Sequence, residues 1–569
     1  MPELDLKIVG GTLIDGTGSL RRLADLGIKD GRIVAIGDVS NSALETFDAS
    51  GRVVAPGFVD IHTHYDAQVL WDQMLTVSPW HGVTTAVLGN CGFGVAPTRP
   101  QHRDLILRTL ERVEGMSLTA LNAGIGTDWP FESFPQYLDV LDQLPLGINV
   151  AVMIGHTPVR LWVMGDESTT REATAPEIEQ MCVLVRQAMD AGAVGFATSV
   201  SKVHVGYAGR PVPSRFANFD EMLQLASAVG ASGHGLIHYN VGREPLWDAY
   251  EALHKASGRP IVWTSLLAGS LGPGSHRIHL QRAAQQLQMG LPIHGQGACR
   301  PIQMEFDFRA PVVFDTWASF EPVRLASDLV NRQTVYADPA FRARVKDQVA
   351  GLGNYDDWFA GKKAEGDTRR AAFKGLTISW AEDTSLIERK LVHLAHERQI
   401  DPVDLMFDLA LQSELKMRWR IALLNFEESE VQEIVQDPNV VLGLGDGGAH
   451  MSQLCDACHP TYLLGHWVRE RQALSLEEAV RRLTWHPAEV FGLQDRGRVA
   501  VGLPADLVVF DPDTVGASSL ERVYDLPAGE DRLVSYASGI DAVFVNGQRL
   551  LTGQHTTRPA GKLLRQRAD

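Results

Sequence analysis

The sequence predicts an α/β protein: a (β/α)8 TIM barrel carrying a small β-sandwich domain made from both chain ends. Three observations predict it. Eight short apolar or β-branched runs recur along the middle of the chain, amphipathic helical text separates several of them, and glycine-punctuated alternating text of one texture occupies both termini. Eight parallel strands alternating with helices are the elements of a barrel whose functional groups gather at the strand C-termini. A chain of 569 residues, 45% of them hydrophobic, can bury a core large enough for one such domain and a smaller companion.

Residues 1–56 read as the first half of the sandwich. LDLKIVGGTLID, LADLGIKDGRIVAIGD and TFDASGRVVAPG are short alternating strands broken by turn glycines. Residues 57–490 read as the barrel, with strands inside VVAPGFVDIHTH, GVTTAVLGNCG, GINVAVMIGH, GAVGFATS, GHGLIHYNV, RPIVWTSL, GLPIHGQGA and NVVLGLGDGGA. The first apolar run spans the junction between the two. Capping-box spacings at Thr174–Glu177 and Asn218–Glu221 start two of the helices, and Gly192 and Gly258 suit left-handed helix ends. Two stretches, about 102–145 and 301–435, are too long for simple connections, and the second holds helical text such as SLIERKLVHLAHERQ. Both are expected to wall or cover the active-site face, with a homo-oligomer contact as the other reading of the second. Residues 491–569 return to strand-and-turn text at GRVAVGLPADLVVFDPDTV and DAVFVNGQRLL, the second half of the sandwich.

Composition excludes some functions. A formal net charge of -17 argues against nucleic acid as a partner, because a phosphate binder needs a basic face to displace counterions. Five cysteines, an odd number at low density, fit a reducing compartment, and we expect a cytoplasmic protein. The start, MPELDLKIVGGTLIDGTG, lacks signal-peptide character, and no apolar run approaches the roughly 18 residues of a membrane span.

The stretch GFVDIHTHYD places His62 and His64 two residues apart, on one face of a strand. Among 19 histidines such a pair is as readily a hydrogen-bonded corner as a metal site. The other strand ends carry Cys91, His156, His238, His294 with Gln296, and Asp446. Imidazole, thiolate and carboxylate arriving from different strands form a ligand set that zinc accepts. Individually, Cys91 also reads as a small buried filler and His156 as a partner for a loop carbonyl. Asp446 precedes two glycines that let backbone approach closely, which solvation does not explain. Cys182 reads as helix core, and Cys455 and Cys458, a lone C-x-x-C before His459, as loop thiols near the barrel mouth.

Together GFVDIHTH, GNCGFGVAP, GAVGFATS, GDGGAH and GRVAVGLPADLVVFDP resemble the amidohydrolase superfamily, and within it the N-acyl-D-amino acid deacylase (D-aminoacylase) branch. The likeness covers nearly the whole chain. It implies one or two zinc ions held by His62, His64, Cys91, His238 and Asp446, with Asp446 also the general acid/base. Two positions depart from the branch: Thr264 and Ser265 stand where the deacylases end strand six with histidines and a nearby lysine, and HYNVGRE around His238 differs from the usual threonine, histidine, methionine, arginine run. The loss favours one ion, placed toward His62, His64 and Asp446. Arg243 and Arg300 are the replacements for the lysine at a substrate carboxylate, and His156 and His450 are further substrate contacts. The implied activity is hydrolysis of a small-molecule amide, an N-acyl amino acid or similar compound, by metal-activated water. The rival readings are a cyclic amidase, a metal-dependent lyase, and a scaffold that has lost its chemistry.

Overall fold

The computed structural model describes residues 2–242, 244–314, 317–326, 328–350, 375–552, 555–556 and 559–567. It divides into two compact units: Met1–Leu266, Ile278–Arg300 and Gln432–Asp569 form the first, and Leu267–Arg277 with Pro301–Val431 the second.

The first unit is built on an eight-stranded parallel sheet whose strands follow one another in chain order. They are β1 (Phe58–Asp60), β2 (Val83–Leu88), β3 (Asn149–Gly155), β4 (Gly195–Ser199), β5 (Leu236–Asn240), β6 (Ile261–Leu266), β7 (Ile293–Gly297) and β8 (Val441–Leu442). All eight lie in the runs that the sequence marks. They are legible because parallel strands buried on both faces need unbroken apolar text; every residue of β2, β3 and β4 is buried. The two ends of the sheet meet just past β1 and β8, where Thr63 and Gly447 form a parallel bridge and the His64 N–H donates to the Gly447 carbonyl at 2.7 Å. Val59, Ile61, Val87, Ala151, Met153, Ala197, Val262 and Val441 pack with Ala488, Val490 and Phe491 into one apolar cluster.

A seven-stranded sheet in the same unit interleaves the two chain ends, and its Val53–Pro56 strand pairs antiparallel with Leu507–Phe510. A four-stranded sheet comes from residues 4–48 alone, and Leu6, Ile8, Leu26 and Ile28 from it share a core with Leu507, Val509 and Phe544. The stretch at about 102–145 forms three helices, Arg103–Glu114, Leu118–Ile125 and Phe134–Gln143.

The second unit holds a core of its own, centred on Phe308, Trp317, Phe320, Tyr336, Phe341, Phe407 and Trp419. Beside the expected helices it contains an antiparallel sheet of Ile302–Asp307, Arg418–Leu424 and Thr377–Trp380. Among the described residues, no helix is long and apolar enough to cross a membrane.

Candidate metal centre

His62 and His64 follow β1 directly and are buried. Three contacts hold the segment: the His62 N–H donates to Asp60 Oδ1 at 3.1 Å, the Thr63 hydroxyl to the Val87 carbonyl at 2.8 Å, and the Asn90 amide to the carbonyls of Thr63 and Val87 at 3.2 and 2.9 Å. His62 Nδ1 lies 2.8 Å from Gln296 Oε1 on β7. An amide oxygen only accepts, so the proton sits on Nδ1 and the Nε2 lone pair faces the other way. That Nε2 is 3.5 Å from Cys91 Sγ and 3.3 Å from Asp446 Oδ1. His64 Nε2 is 3.6 Å from the same Asp446 oxygen, and its Nδ1 is 3.4 Å from Glu114 Oε1.

The loops bend to make this meeting. Cys91 itself has φ 55°, between Gly89 and Gly92, which are also left-handed. The turn brings its thiol to His62 Nε2 and Asn240 Nδ2. At the end of β8, Gly448 has φ +87°, and a Cβ there would lie 2.8 Å from the backbone carbon and oxygen of His64. Only glycine permits the loop carrying Asp446 to press so closely on the histidine segment.

Charge is shared across the cluster. Burial pushes the Asp446 carboxyl up, but His64 and His62 outweigh it and hold it well below the usual carboxylate range. Burial likewise raises the Cys91 thiol, and His62 and His64 bring it below its ordinary value. The two imidazoles are drawn the other way, above theirs, against burial: His62 by Cys91 and Asp446, and His64 by Glu114, Asp446 and Cys91. The field therefore favours positive charge where the two Nε2 atoms face Asp446. One ligand atom each from His62, His64 and Cys91 lie within 4.8 Å of one another, a set one cation can span. Two imidazoles, a thiolate and a nearby carboxylate suit zinc.

A model of the amidohydrolase family matches residues 45–550. The chain belongs to that family. Among characterised amidohydrolases it is 30% identical to the D-aminoacylase of Alcaligenes xylosoxydans xylosoxydans, over 97% of each chain. It is also 30% identical to the N-acyl-D-glutamate deacylase of the same organism, over 100% of this chain and 98% of that one. A crystal structure of N-acyl-D-glutamate deacylase from Bordetella bronchiseptica, complexed with zinc and a phosphonate mimic of the tetrahedral intermediate, superposes with TM-score 0.64 at 27% identity, covering 99% and 100% of the two chains. A D-aminoacylase structure that defines a novel subset of amidohydrolases superposes with TM-score 0.65 over the same shares, also at 27% identity.

Not every residue expected at the site of this amidohydrolase reaches it. His238 is buried with its ring 5.3 Å from that of His62, yet it lies outside the cluster. Asn240, two residues on along the same strand face, closes β5 and reaches Cys91 instead. Burial and the His62 charge push the His238 pKa well down. His156, expected at substrate, uses both ring nitrogens elsewhere, on Thr198 Oγ1 and Glu221 Oε1, each at 2.8 Å. His294 sits one step back along β7 from Gln296, and burial pushes it down to about 4.

Arg300 is not poised for a substrate carboxylate. It is buried against the C-x-x-C segment, with Nη1 on the Cys455 carbonyl at 2.7 Å, on Cys458 Sγ, and 3.3 Å from Asp456. Cys455 and Cys458 lie in a loop, as read, and both are buried; Cys455 and Arg300 draw the Cys458 thiol down to about 6. Cys182 is helix core as expected. Arg243 lies outside the described residues. His450 is half-buried with φ 50°, and its N–H donates to the Glu114 carbonyl.

Sequence reasoning passed over Glu114, Asn240 and His204. Glu114 closes a helix in a long connection whose text gives no sign of the site. His204 is held by Ser199 Oγ at 2.7 Å, and burial beside His64 pushes it to about 3. Five residues past the end of β4, it carries no positional signal in the sequence.

Proposed function

We propose that this chain is a zinc-dependent hydrolase of a non-peptide amide bond, acting on an N-acyl amino acid of the kind its D-aminoacylase and N-acyl-D-glutamate deacylase relatives are named for. The observation that carries the reading is the meeting of His62, His64, Cys91 and Asp446 beyond the ends of β1, β2 and β8. His62, His64 and Cys91 would hold the ion, with Asp446 beside it. Zinc bound there would supply a water of lowered pKa and polarisation of the substrate carbonyl.

The chain's own groups do the rest. Asp446, whose Oδ1 faces both Nε2 atoms, accepts the proton of the attacking water and returns it to the departing amine nitrogen. Gln296 orients His62 through its Nδ1, and the Glu114 carboxylate, 3.4 Å from His64 Nδ1, attracts that ring. His450, on the same loop as Asp446, contacts the substrate.

In the same reading the eight-stranded sheet is a closed (β/α)8 barrel within residues 57–490, supported by the Thr63–Gly447 bridge. Residues 1–56 and 491–569 form a β-sandwich, supported by the pairing of Val53–Pro56 with Leu507–Phe510. The compartment is the cytoplasm, supported by five free cysteines, among them the closely spaced Cys455 and Cys458.

The test has two arms: elemental analysis of purified wild type and Cys91→Ala, and a hydrolysis screen of N-acyl-D-amino acids against hydantoins and lactams. Bound zinc that Cys91→Ala loses, with turnover confined to the N-acyl compounds, is expected. Turnover of the cyclic amides alone would replace the substrate class, and a metal-free, inactive protein would overturn the whole reading.

A further inference from the structure

Cys91 Sγ has a close polar neighbour besides the histidines. Asn240 Nδ2, at the end of β5, lies 3.0 Å from the sulfur. Which end of the amide faces Cys91 is settled by Gly242, whose backbone N–H donates to Asn240 Oδ1 at 3.0 Å. A backbone N–H meets only the oxygen, so the NH2 group must face the sulfur. An amide NH2 has hydrogens to give and no lone pair for a cation. The register partner of Asn240 on β6 is Thr264, so no imidazole stands behind it there. The sulfur is thus approached from β5 by a hydrogen-bond donor that offers a cation no lone pair.

We infer that Asn240 is a positioning residue that makes Cys91 a one-cation thiolate: its N–H···S hydrogen bond occupies the sulfur on the β5 side, and the centre takes a single ion. The inference rests on the reading of His62, His64 and Cys91 as metal ligands. Part of the thiolate charge is compensated by the amide, which leaves less of it to donate to the ion on the histidine side. Removing the donor therefore increases sulfur-to-metal donation while freeing the side chain to move.

The experiment uses the full chain, stripped by chelator and reloaded with zinc or cobalt(II). Wild type should take one equivalent and, with cobalt, show a near-ultraviolet sulfur-to-cobalt charge-transfer band that Cys91→Ala lacks. Asn240→Leu should still take one equivalent, with the band moved to longer wavelength and zinc held at least about tenfold more weakly. Asn240→Asp should take a second equivalent, because a carboxylate beside a thiolate is stabilised by a cation between them. Two Cys91-dependent equivalents in wild type, or an unmoved band with unchanged zinc affinity in Asn240→Leu, would overturn the role of Asn240 and leave the metal centre standing. If Asn240→Leu fails to fold, the stoichiometry of Asn240→Asp decides, and one equivalent there counts against the inference. A wild type that binds neither metal removes the centre and the inference together.

Discussion

Asp446 and Glu114 act on the same pair of histidines from different sides, and their substitutions should separate chemistry from metal holding. Asp446 faces both Nε2 atoms, at 3.3 and 3.6 Å. Asp446→Asn keeps the shape and an oxygen for the ion but cannot accept a proton. Turnover should fall by about 10²–10⁴-fold with most of the zinc retained, read by kcat and metal content on one preparation. His62→Asn and His64→Asn together should instead lose the metal. Glu114 lies 3.4 Å from His64 Nδ1 with its side chain 3% exposed, and its carbonyl accepts the His450 N–H. Glu114→Gln removes the anion that favours and orients the ligand, and zinc affinity should weaken about 10–100-fold in a chelator competition. Equal affinity in the variant would show that the carboxylate only fills space.

At the scale of elements, buried parallel strands wrote themselves as eight apolar runs, and the turn glycines of GNCG and GDGG marked where backbone must be left-handed or tightly packed. What stayed illegible depends on contacts between distant elements. His238 and Asn240 share a strand face, and nothing local says which reaches the thiolate; an imidazole is the obvious choice by chemistry, and the register delivers the amide. Arg418–Leu424 alternates between buried and half-buried positions, a strand pattern hidden inside text otherwise helical. The spacing Asn218–Glu221 reads as a capping box, and half of one forms: Asn218 accepts the Glu221 N–H at 3.0 Å. The Glu221 side chain turns inward, to His156 and Arg160, and all three are fully buried. By contrast the Glu177 side chain stays at the helix start, where its Oε2 accepts from the Thr174 N–H at 2.7 Å and from the Thr174 hydroxyl at 2.8 Å. The two glutamates should therefore differ sharply on mutation. Glu221→Gln leaves Arg160 buried without its counter-charge and should cost about 3–5 kcal/mol in denaturant unfolding. Thr174→Ala removes a surface cap and should cost about 1 kcal/mol.

Across the whole molecule, several histidines are buried in the neutral form, and this sets the response to acid. Burial pushes His81 and His294 down to about 4, and burial beside His81 and the Arg300 charge takes His459 to about 3. Between those values and the unfolded-chain value near 6.5, the unfolded state binds protons that the folded state refuses, so stability is lost as pH falls through this window. Glu221 adds to the loss at lower pH: despite burial its pKa is depressed, by His156 and Arg160, and its stabilisation disappears as it protonates. Buried carboxyls act in the opposite sense, since burial raises Asp60 and Asp456 to about 7, which favours the folded state in acid. A cation beside His62 and His64 would favour the ionised form of Asp60 and so reduce that effect. The histidines should therefore dominate in the zinc-loaded protein. Its thermal unfolding midpoint should be nearly flat above pH 7 and fall steadily from about pH 6.5 to pH 4, and the fall should be shallower in protein stripped of metal, from a lower starting midpoint. A midpoint that rose toward pH 5 in the loaded protein would mean that the buried carboxyls, and not the neutral histidines, govern the balance.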